Sequence, residues 1–164
     1  MITLVTGAAR SGKTQFALRC AGTREPRAYI ATAELLDDEM RERARRHQED
    51  RGGQWTTIEE PLNLVPVLSL AYPVFVIDCL TLWLSNWLLR DSSSIQDQID
   101  RLKAAFDGAR GDVIAITNEV GWSIVPDNGL ARIFRDWSGK MNQEIAEVAD
   151  AVYLMVCGIP VKVK

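Results

Sequence analysis

The sequence predicts an α/β protein with a mostly parallel sheet, helices on both of its faces and an antiparallel hairpin as its last element. Short apolar runs of strand-forming residues alternate with amphipathic segments of helical period. The predicted strands are residues 2–5, 27–32, 74–78, 113–117 and 151–156. Strands that alternate with helices favour parallel pairing, because each crossover helix returns the chain to the same edge of the sheet. Gly158-Ile159-Pro160 predicts a turn after the last of these strands, so that residues 161–164 pair back on it.

Length and composition indicate one globular domain spanning residues 1–164. The net charge of −3 predicts no nucleic-acid partner, since such partners select a basic surface. The three cysteines are far apart, which predicts neither a disulfide framework nor a zinc site and favours a reducing compartment. No apolar run is long enough to span a bilayer, and the first strand leaves no room for a signal peptide. We therefore expect a cytoplasmic enzyme with no transmembrane segment.

The first predicted strand runs into a segment that fits the phosphate-binding pattern G-x-x-x-x-G-K-[ST], and a helix over Lys13 to about Cys20 follows it. A strand, a glycine-rich turn and a helix make backbone N–H groups converge on an anion. Lys13 would reach the β- and γ-phosphates, and the Thr14 hydroxyl would bind Mg²⁺. The predicted fold is therefore that of a RecA-like P-loop NTPase. The predicted phosphate contacts are Gly7, Ala8, Ala9, Arg10, Ser11, Gly12, Lys13 and Thr14.

Two further strand ends carry polar residues. The strand over residues 27–32 ends in Thr32-Ala33-Glu34, and such a turn in an open α/β sheet tends to face the ligand, although an ordinary connecting loop would look the same. The apolar strand over residues 74–77 ends in Asp78, which we expect to hold the Mg²⁺ shell opposite Thr14.

A strongly charged helix is predicted from Asp37 to about Asp50, and it carries His47, the single histidine of the chain, on its apolar stripe. By residue type alone, a lone histidine near a helix C-terminus is more often a surface or dipole-pairing residue than a catalyst. The neighbouring arginines form a solvated face by default, or they could hold phosphates together with His47. They are Arg41, Arg43, Arg45 and Arg46.

The remaining segments complete the alternation. Residues 55–61 predict an extended piece with two carboxylates, Glu59 and Glu60, and residues 64–71 predict a helix. An apolar stripe at helical spacing follows Asp78, and we expect it to be core or a subunit contact rather than a flat ligand site. Its members are Leu80, Trp83, Leu84, Trp87 and Leu88. Two more helices are predicted, over about 95–106 and 130–148.

The phosphate loop predicts nucleotide binding but no particular reaction, because many functions share it. A regulatory GTPase would normally carry an N-K-x-D motif after a strand, and the nearest equivalent, Thr117-Asn118-Glu119-Val120, lacks the lysine and the aspartate. The size of the chain fits a small-molecule kinase.

Five stretches in order resemble the bifunctional adenosylcobinamide kinase/adenosylcobinamide-phosphate guanylyltransferase family of cobalamin synthesis. They are residues 5–13, residues 29–33 with 37–40, residues 78–86, residues 117–122 with 124–126, and residues 130–143. The loop Asn118-Glu119-Val120-Gly121 and the tract around His47 are the most specific of these. Ser123 stands where glycine is common in the family, which bears only on local loop geometry.

The resemblance implies two reactions. ATP or GTP phosphorylates the aminopropanol hydroxyl of adenosylcobinamide, and GTP then transfers GMP to that phosphate through a GMP-histidine intermediate, which gives adenosylcobinamide-GDP. The nucleophile of the family maps onto His47, and Mg²⁺ and a homotrimer are implied as well. The guanine nucleotide contacts implied beside the phosphate loop are Thr32, Ala33, Glu34, Gln48, Glu49, Asp50, Arg51, Glu59 and Asp78, with Glu59 favoured over Glu60.

Three alternatives to this function are a P-loop small-molecule kinase without guanylyl transfer, a nucleotide-dependent regulatory switch and a non-catalytic corrinoid carrier. Absence of label on the enzyme after incubation with α-labelled GTP would favour the first. Fast hydrolysis without corrinoid, together with a partner protein, would favour the second, and binding of cobinamide without turnover would favour the third.

Overall fold

The computed structural model describes residues 1–34, 42 and 53–164, and these form a seven-stranded sheet with helices packed on it. The strands are β1 (Ile2–Gly7), β2 (Arg27–Ala31), β3 (Trp55–Glu59), β4 (Val74–Asp78), β5 (Asp112–Ile116), β6 (Ala151–Val156) and β7 (Ile159–Lys162). The helices are α1 (Lys13–Cys20), α2 (Leu64–Leu68), α3 (Leu80–Arg90), α4 (Ile95–Gly108) and α5 (Gly129–Val148), with a short 3₁₀ turn at Ser92–Ser94. The predicted helix over residues 37–50 lies outside the described residues.

The strand order is β3-β2-β4-β5-β1-β6-β7, and every neighbouring pair is parallel except β6 and β7. The predicted mostly parallel sheet with a final antiparallel hairpin is therefore confirmed. β5 lies between β1 and β4, so the strand that leads into the phosphate loop and the strand that ends in Asp78 are both its neighbours. Since all these strands are parallel, their carboxyl ends meet at one edge of the sheet, where ligands bind in open α/β folds.

Alternating residues of the central strands supply two cores. Phe75 and Ile77 face the layer made by α2, α3, α4 and α5, whereas Val74 and Val76 face the side of the sheet that α1 covers. All four side chains are fully buried. Near-continuous apolar runs of this kind are what a parallel strand covered on both faces requires.

The apolar stripe on α3 belongs to the core of the monomer. Trp83 and Leu84 are buried, and the indole N–H groups of Trp83 and Trp87 both donate to the carbonyl oxygen of Leu62, at 2.8 and 3.2 Å. The core interpretation of the stripe is thus confirmed. The burial of Trp83 removes this residue as an argument for a subunit contact.

Several predicted boundaries shift by a few residues. α2 ends at Leu68 instead of Ala71, with Ser69 as its C-terminal cap. β7 starts at Ile159 because Cys157 and Gly158, with φ of 50° and 82°, make the turn alone. No helix of the described residues is long and apolar enough to cross a bilayer.

Candidate nucleotide site

The predicted phosphate loop connects β1 to α1 and packs against the C-terminal hairpin. Gly7 has a φ of 144°, and a β-carbon there would lie 2.7 Å from the carbonyl oxygen of Met155. Gly12, with φ of 91°, is the residue that precedes α1, and a β-carbon there would lie 3.2 Å from Cα of Gly158. The backbone N–H of Gly158 also donates to the carbonyl oxygen of Ser11 at 3.1 Å. Both glycines of the motif are thus required by conformation and by close approach.

Lys13 is buried and folds back over the loop. Its Nζ donates to the carbonyl oxygens of Ala8 at 2.6 Å and Gly7 at 3.2 Å. Burial lowers the pKa of the Lys13 amine from its ordinary value, and the nearby Cys79 and Asp78 oppose that shift. The amine therefore lies inside the curl of the loop, where the phosphates of a nucleotide bind in this motif.

Asp78 meets two hydroxyl groups from other elements at the carboxyl end of β4. Its Oδ2 accepts a hydrogen bond from Oγ1 of Thr14 at 3.2 Å and a very short one from the phenolic hydroxyl of Tyr29. Thr14 and Asp78 were predicted to act together, and the structure brings them into contact. Tyr29 was not predicted at the site, although its position in β2, next to β4, places it there.

Cys79, directly after Asp78, is buried. Burial, with the Asp78 carboxylate next to it, raises the pKa of the Cys79 thiol to about 11. The thiol is therefore protonated at neutral pH and is not a nucleophile.

Thr32 is fully buried and connects the end of β2 to the residue that follows β4. Its Oγ1 donates to the carbonyl oxygen of Cys79 and accepts from the backbone N–H of Cys79, both at 2.8 Å. Asn86 Nδ2 donates to the carbonyl oxygen of Thr32 at 2.8 Å. Of the predicted turn, Ala33 is half-buried and Glu34 is exposed, so these two residues present the accessible surface.

The two carboxylates at the end of β3 differ in their contacts. Oε1 of Glu60 accepts hydrogen bonds from the backbone N–H groups of Leu62 and Asn63, at 2.9 and 2.7 Å, and so stabilises the turn before α2. Glu59 is exposed. The described residues thus give Glu60 a structural contact and leave the carboxylate of Glu59 accessible.

A partly buried network of polar side chains connects the loop after β5 to the strand and loop of the phosphate-binding motif. Oε1 of Glu119 accepts from Oγ1 of Thr6 at 2.9 Å and from Nδ2 of Asn142 at 3.1 Å. Oδ1 of Asn142 accepts from Oγ1 of Thr117 at 2.7 Å. Glu119 lies three residues beyond β5 at the carboxyl edge of the sheet, and the sequence alone predicted no role for it. A carboxylate three residues beyond a strand end at that edge is the signal that would have found it.

The predicted residues His47, Gln48, Glu49, Asp50 and Arg51 lie outside the described residues. Within residues 1–34, 42 and 53–164, no group of three or more histidine, cysteine, aspartate or glutamate side chains could hold a metal ion. The donors that lie together are the hydroxyl of Thr14 and the carboxylate of Asp78.

Residues 3–163 match the family model described as cobinamide kinase / cobinamide phosphate guanyltransferase. The chain is 39% identical to the bifunctional adenosylcobalamin biosynthesis protein CobU of Salmonella typhimurium, with all of both chains covered. It is 38% identical to the bifunctional adenosylcobalamin biosynthesis protein CobP of Pseudomonas aeruginosa, over 98% of this chain and 96% of the relative. Among solved structures, a KaiC-like protein of Pyrococcus horikoshii is similar in fold, with a TM-score of 0.53 and 17% identity over 93% of this chain and 69% of the other.

Proposed function

This chain belongs to the cobinamide kinase / cobinamide phosphate guanyltransferase family, and from that premise we propose that one nucleotide site, built around residues 7–14, serves both of its reactions. The chain is a bifunctional transferase. In the first reaction ATP or GTP phosphorylates the aminopropanol hydroxyl of adenosylcobinamide. In the second, GMP passes from GTP to the new phosphate, pyrophosphate leaves, and adenosylcobinamide-GDP results.

The observation that carries this proposal is the convergence of Lys13, Thr14 and Asp78 at the carboxyl edge of the sheet. Nζ of Lys13 lies within the phosphate loop, and Oγ1 of Thr14 lies 3.2 Å from Oδ2 of Asp78. Phosphoryl transfer depends on positioning and on charge stabilisation more than on covalent chemistry by the protein. A lysine and a ring of backbone N–H groups around the phosphates supply both.

Mg²⁺ fits the donors that this edge provides. A threonine hydroxyl and a carboxylate oxygen are hard donors of the kind that Mg²⁺ selects, and in nucleotide sites the phosphates and waters complete its shell. We propose that Thr14 and Asp78 hold the ion, with Tyr29 orienting the carboxylate of Asp78 through its hydrogen bond. Bound there, Mg²⁺ would neutralise charge on the β- and γ-phosphates.

For guanylyl transfer we propose that His47 is the nucleophile at the α-phosphate of GTP. It is the single histidine of the chain. An imidazole with an ordinary pKa of about 6.5 is mostly neutral at pH 7, so its nitrogen attacks without a separate base. Pyrophosphate leaves as the nitrogen–phosphorus bond forms, and the corrinoid phosphate then takes GMP from the histidine. Gln48, Glu49, Asp50 and Arg51 are proposed to contact the nucleotide beside it.

The remaining guanine nucleotide contacts are proposed at the ends of β2 and β3. Ala33 and Glu34 supply accessible surface after β2, and Thr32 supports them from a buried position. Of the two candidate glutamates on β3, the turn contact of Glu60 favours Glu59 as the residue that meets the nucleotide.

We also propose that the single domain over residues 1–164 assembles as a cytoplasmic homotrimer. The thiols of Cys20, Cys79 and Cys157 are free, as a reducing compartment would keep them. Exposed apolar side chains on the loop after β5 and on the first turns of α5 support assembly, because monomers rarely expose them together. They are Trp122, Ile124, Val125, Leu130 and Ile133.

One assay tests the central proposal. The protein is incubated with Mg²⁺, GTP and adenosylcobinamide, and the corrinoid products are identified by mass. Adenosylcobinamide phosphate and then adenosylcobinamide-GDP are expected. Adenosylcobinamide phosphate without adenosylcobinamide-GDP would limit the function to that of a kinase. Unchanged adenosylcobinamide would refute both reactions.

A further inference from the structure

Glu119 lies beside the phosphate loop through two separate contacts. Its backbone N–H donates to the carbonyl oxygen of Gly7 at 3.2 Å, and Nζ of Lys13 donates to that same oxygen at 3.2 Å. Its side-chain atom Oε1 accepts from Oγ1 of Thr6. Glu119 is therefore fixed next to the lysine that the β- and γ-phosphates of a nucleotide meet in this motif.

The two carboxylate oxygens of Glu119 have different surroundings. Oε1 accepts both hydrogen bonds, from Thr6 and from Asn142, and Asn142 is itself buried and held by Thr117. Oε2 has no hydrogen-bond partner among residues 1–34, 42 and 53–164, and the side chain is half-buried. One oxygen thus anchors the carboxylate, and the other has no partner among these residues.

No other carboxylate at this edge has the same position. Those of the described residues that stand at or within three residues of the carboxyl end of a parallel strand are Glu34, Glu59, Glu60, Asp78 and Glu119. β2 and β3, which carry the first three, are separated from β1 by β4 and β5. Oδ2 of Asp78 is occupied by Thr14 and Tyr29. Only Glu119, among these five, follows a strand that pairs directly with β1 at the phosphate loop.

We propose that Glu119 is the general base of the kinase reaction, an inference that rests on the function proposed above. Oε2 takes the proton of the aminopropanol hydroxyl as the hydroxyl oxygen forms its bond to the γ-phosphorus. The bond from that phosphorus to the β–γ bridging oxygen breaks, and ADP or GDP leaves with the electron pair. The proton then passes from Glu119 to water. Guanylyl transfer has no hydroxyl nucleophile, so it needs no base at this position.

A purely structural role predicts a different outcome. If Glu119 only joined its loop to the phosphate loop by hydrogen bonds, its loss would disturb the site that both reactions share, and both rates would fall together. Such a structural role depends on the length of the side chain, whereas the role of a general base depends on its charge. Glu119→Gln keeps the length and an acceptor oxygen without the charge, and Glu119→Asp keeps the charge on a shorter side chain.

The experiment measures the two half-reactions separately on the full chain. Adenosylcobinamide with ATP or GTP, whichever the wild type accepts, reports the kinase, and adenosylcobinamide phosphate with GTP reports guanylyl transfer. For Glu119→Gln we expect the kinase kcat to fall by about 10²- to 10⁴-fold, the usual contribution of a general base, and guanylyl transfer to stay within about threefold. Glu119→Asp should retain more kinase activity than Glu119→Gln.

Thr6→Val is the matched control, because it removes the donor to Oε1 and leaves the carboxylate in place. It should lower both half-reactions alike, by about tenfold or less. Equal losses of the two reactions in Glu119→Gln, or kinase activity in Glu119→Gln that equals or exceeds that of Glu119→Asp, would overturn the assignment. A wild type without kinase activity would instead refute the proposed function, so the two failures are distinguishable.

Discussion

Thr14 and Tyr29 donate hydrogen bonds to the same atom, Oδ2 of Asp78. The three residues come from α1, β2 and β4, so one carboxylate oxygen joins the phosphate loop to two neighbouring strands. Charge-assisted hydrogen bonds of this kind are roughly twice as strong as neutral ones, and two of them fix the carboxylate in one orientation.

Asp78→Asn should therefore reduce kinase turnover by at least about 100-fold while leaving the melting temperature within a few degrees of wild type. The amide occupies the same volume but lacks the charge that binds Mg²⁺. Turnover as a function of Mg²⁺ concentration, together with thermal unfolding, measures both effects. A large drop in melting temperature with normal activity per folded molecule would show that Asp78 is only structural.

Tyr29→Phe is the companion variant. It keeps the buried ring and its edge contact with Trp55, whose ring centroid lies 6.1 Å away, and removes only the hydroxyl. We expect a smaller loss of turnover, about tenfold, because Thr14 still orients Asp78. A loss as large as that of Asp78→Asn would mean that the tyrosine hydroxyl itself contacts the nucleotide or the metal shell.

His47 gives the most specific test of guanylyl transfer. A phosphoramidate is labile in acid and stable in alkali, the reverse of a serine ester's sensitivity to base. Protein incubated with α-labelled GTP should therefore retain label that acid removes, whereas γ-labelled GTP should leave none. His47→Ala should lose both the label and adenosylcobinamide-GDP, and it should keep part of the kinase activity, because Lys13, Thr14 and Asp78 serve the γ-phosphate. Formation of adenosylcobinamide-GDP by His47→Ala at near the wild-type rate would mean direct transfer from GTP.

Glu144 links α5 to α4 and predicts a pH dependence of stability. Burial raises the pKa of its carboxyl, but hydrogen bonds from Lys103 at 3.0 Å and Gln96 at 3.2 Å outweigh this, and the net pKa is lowered. A lowered folded-state pKa stabilises the protein above the unfolded-state value of about 4.3, and this contribution is lost as the pH falls through the folded-state pKa.

Glu144→Gln should therefore lower the free energy of unfolding by about 0.5–1 kcal/mol at pH 7, and the difference should vanish near pH 2. Urea unfolding at the two pH values measures it. Asp136→Asn, on an exposed face of α5 with its side chain 71% accessible, is the control and should change little at either pH. A difference between wild type and Glu144→Gln that is the same at both pH values would contradict the electrostatic explanation.

The proposed homotrimer predicts a solution mass three times the chain mass of 18.3 kDa. Trp83 is buried within the monomer and therefore gives no support for a subunit contact. The support for assembly comes from the exposed side chains of Trp122 and Ile124, which are 75% and 92% accessible. Light scattering at micromolar concentration measures the mass directly. A value near that of one chain would refute the trimer.

The features that sequence predicted well are those at a fixed offset from a strand end. The phosphate loop follows β1 directly and Asp78 is the last residue of β4, so neither depends on knowing which strands are neighbours. Tyr29 is different. Its hydroxyl reaches Asp78 only because β2 pairs with β4 in a register that aligns Ala31 with Asp78, and the sequence contains no direct signal for strand order.

Glu119 illustrates the same limit. Its side chain is held by Asn142 of α5 and Thr6 of β1, which are distant from it in sequence. The helical spacing of apolar residues also could not predict that Leu130 and Ile133 of α5 are exposed. Only the later turns of this helix bury side chains in the core. Contacts of this kind follow from tertiary packing.

The support of the phosphate loop by Met155 and Gly158 has a consequence for biosynthesis. The loop leaves the ribosome long before the hairpin residues that contact it. Closing so long a stretch of chain is a late event in folding, because its entropic cost precedes the contacts that repay it. A nascent chain that has emerged only through β5 therefore carries the complete phosphate-binding motif without the contacts of Met155 and Gly158. We therefore expect nucleotide affinity to appear only after the hairpin has been synthesised and has folded against the loop, so that GTP does not stabilise shorter nascent chains.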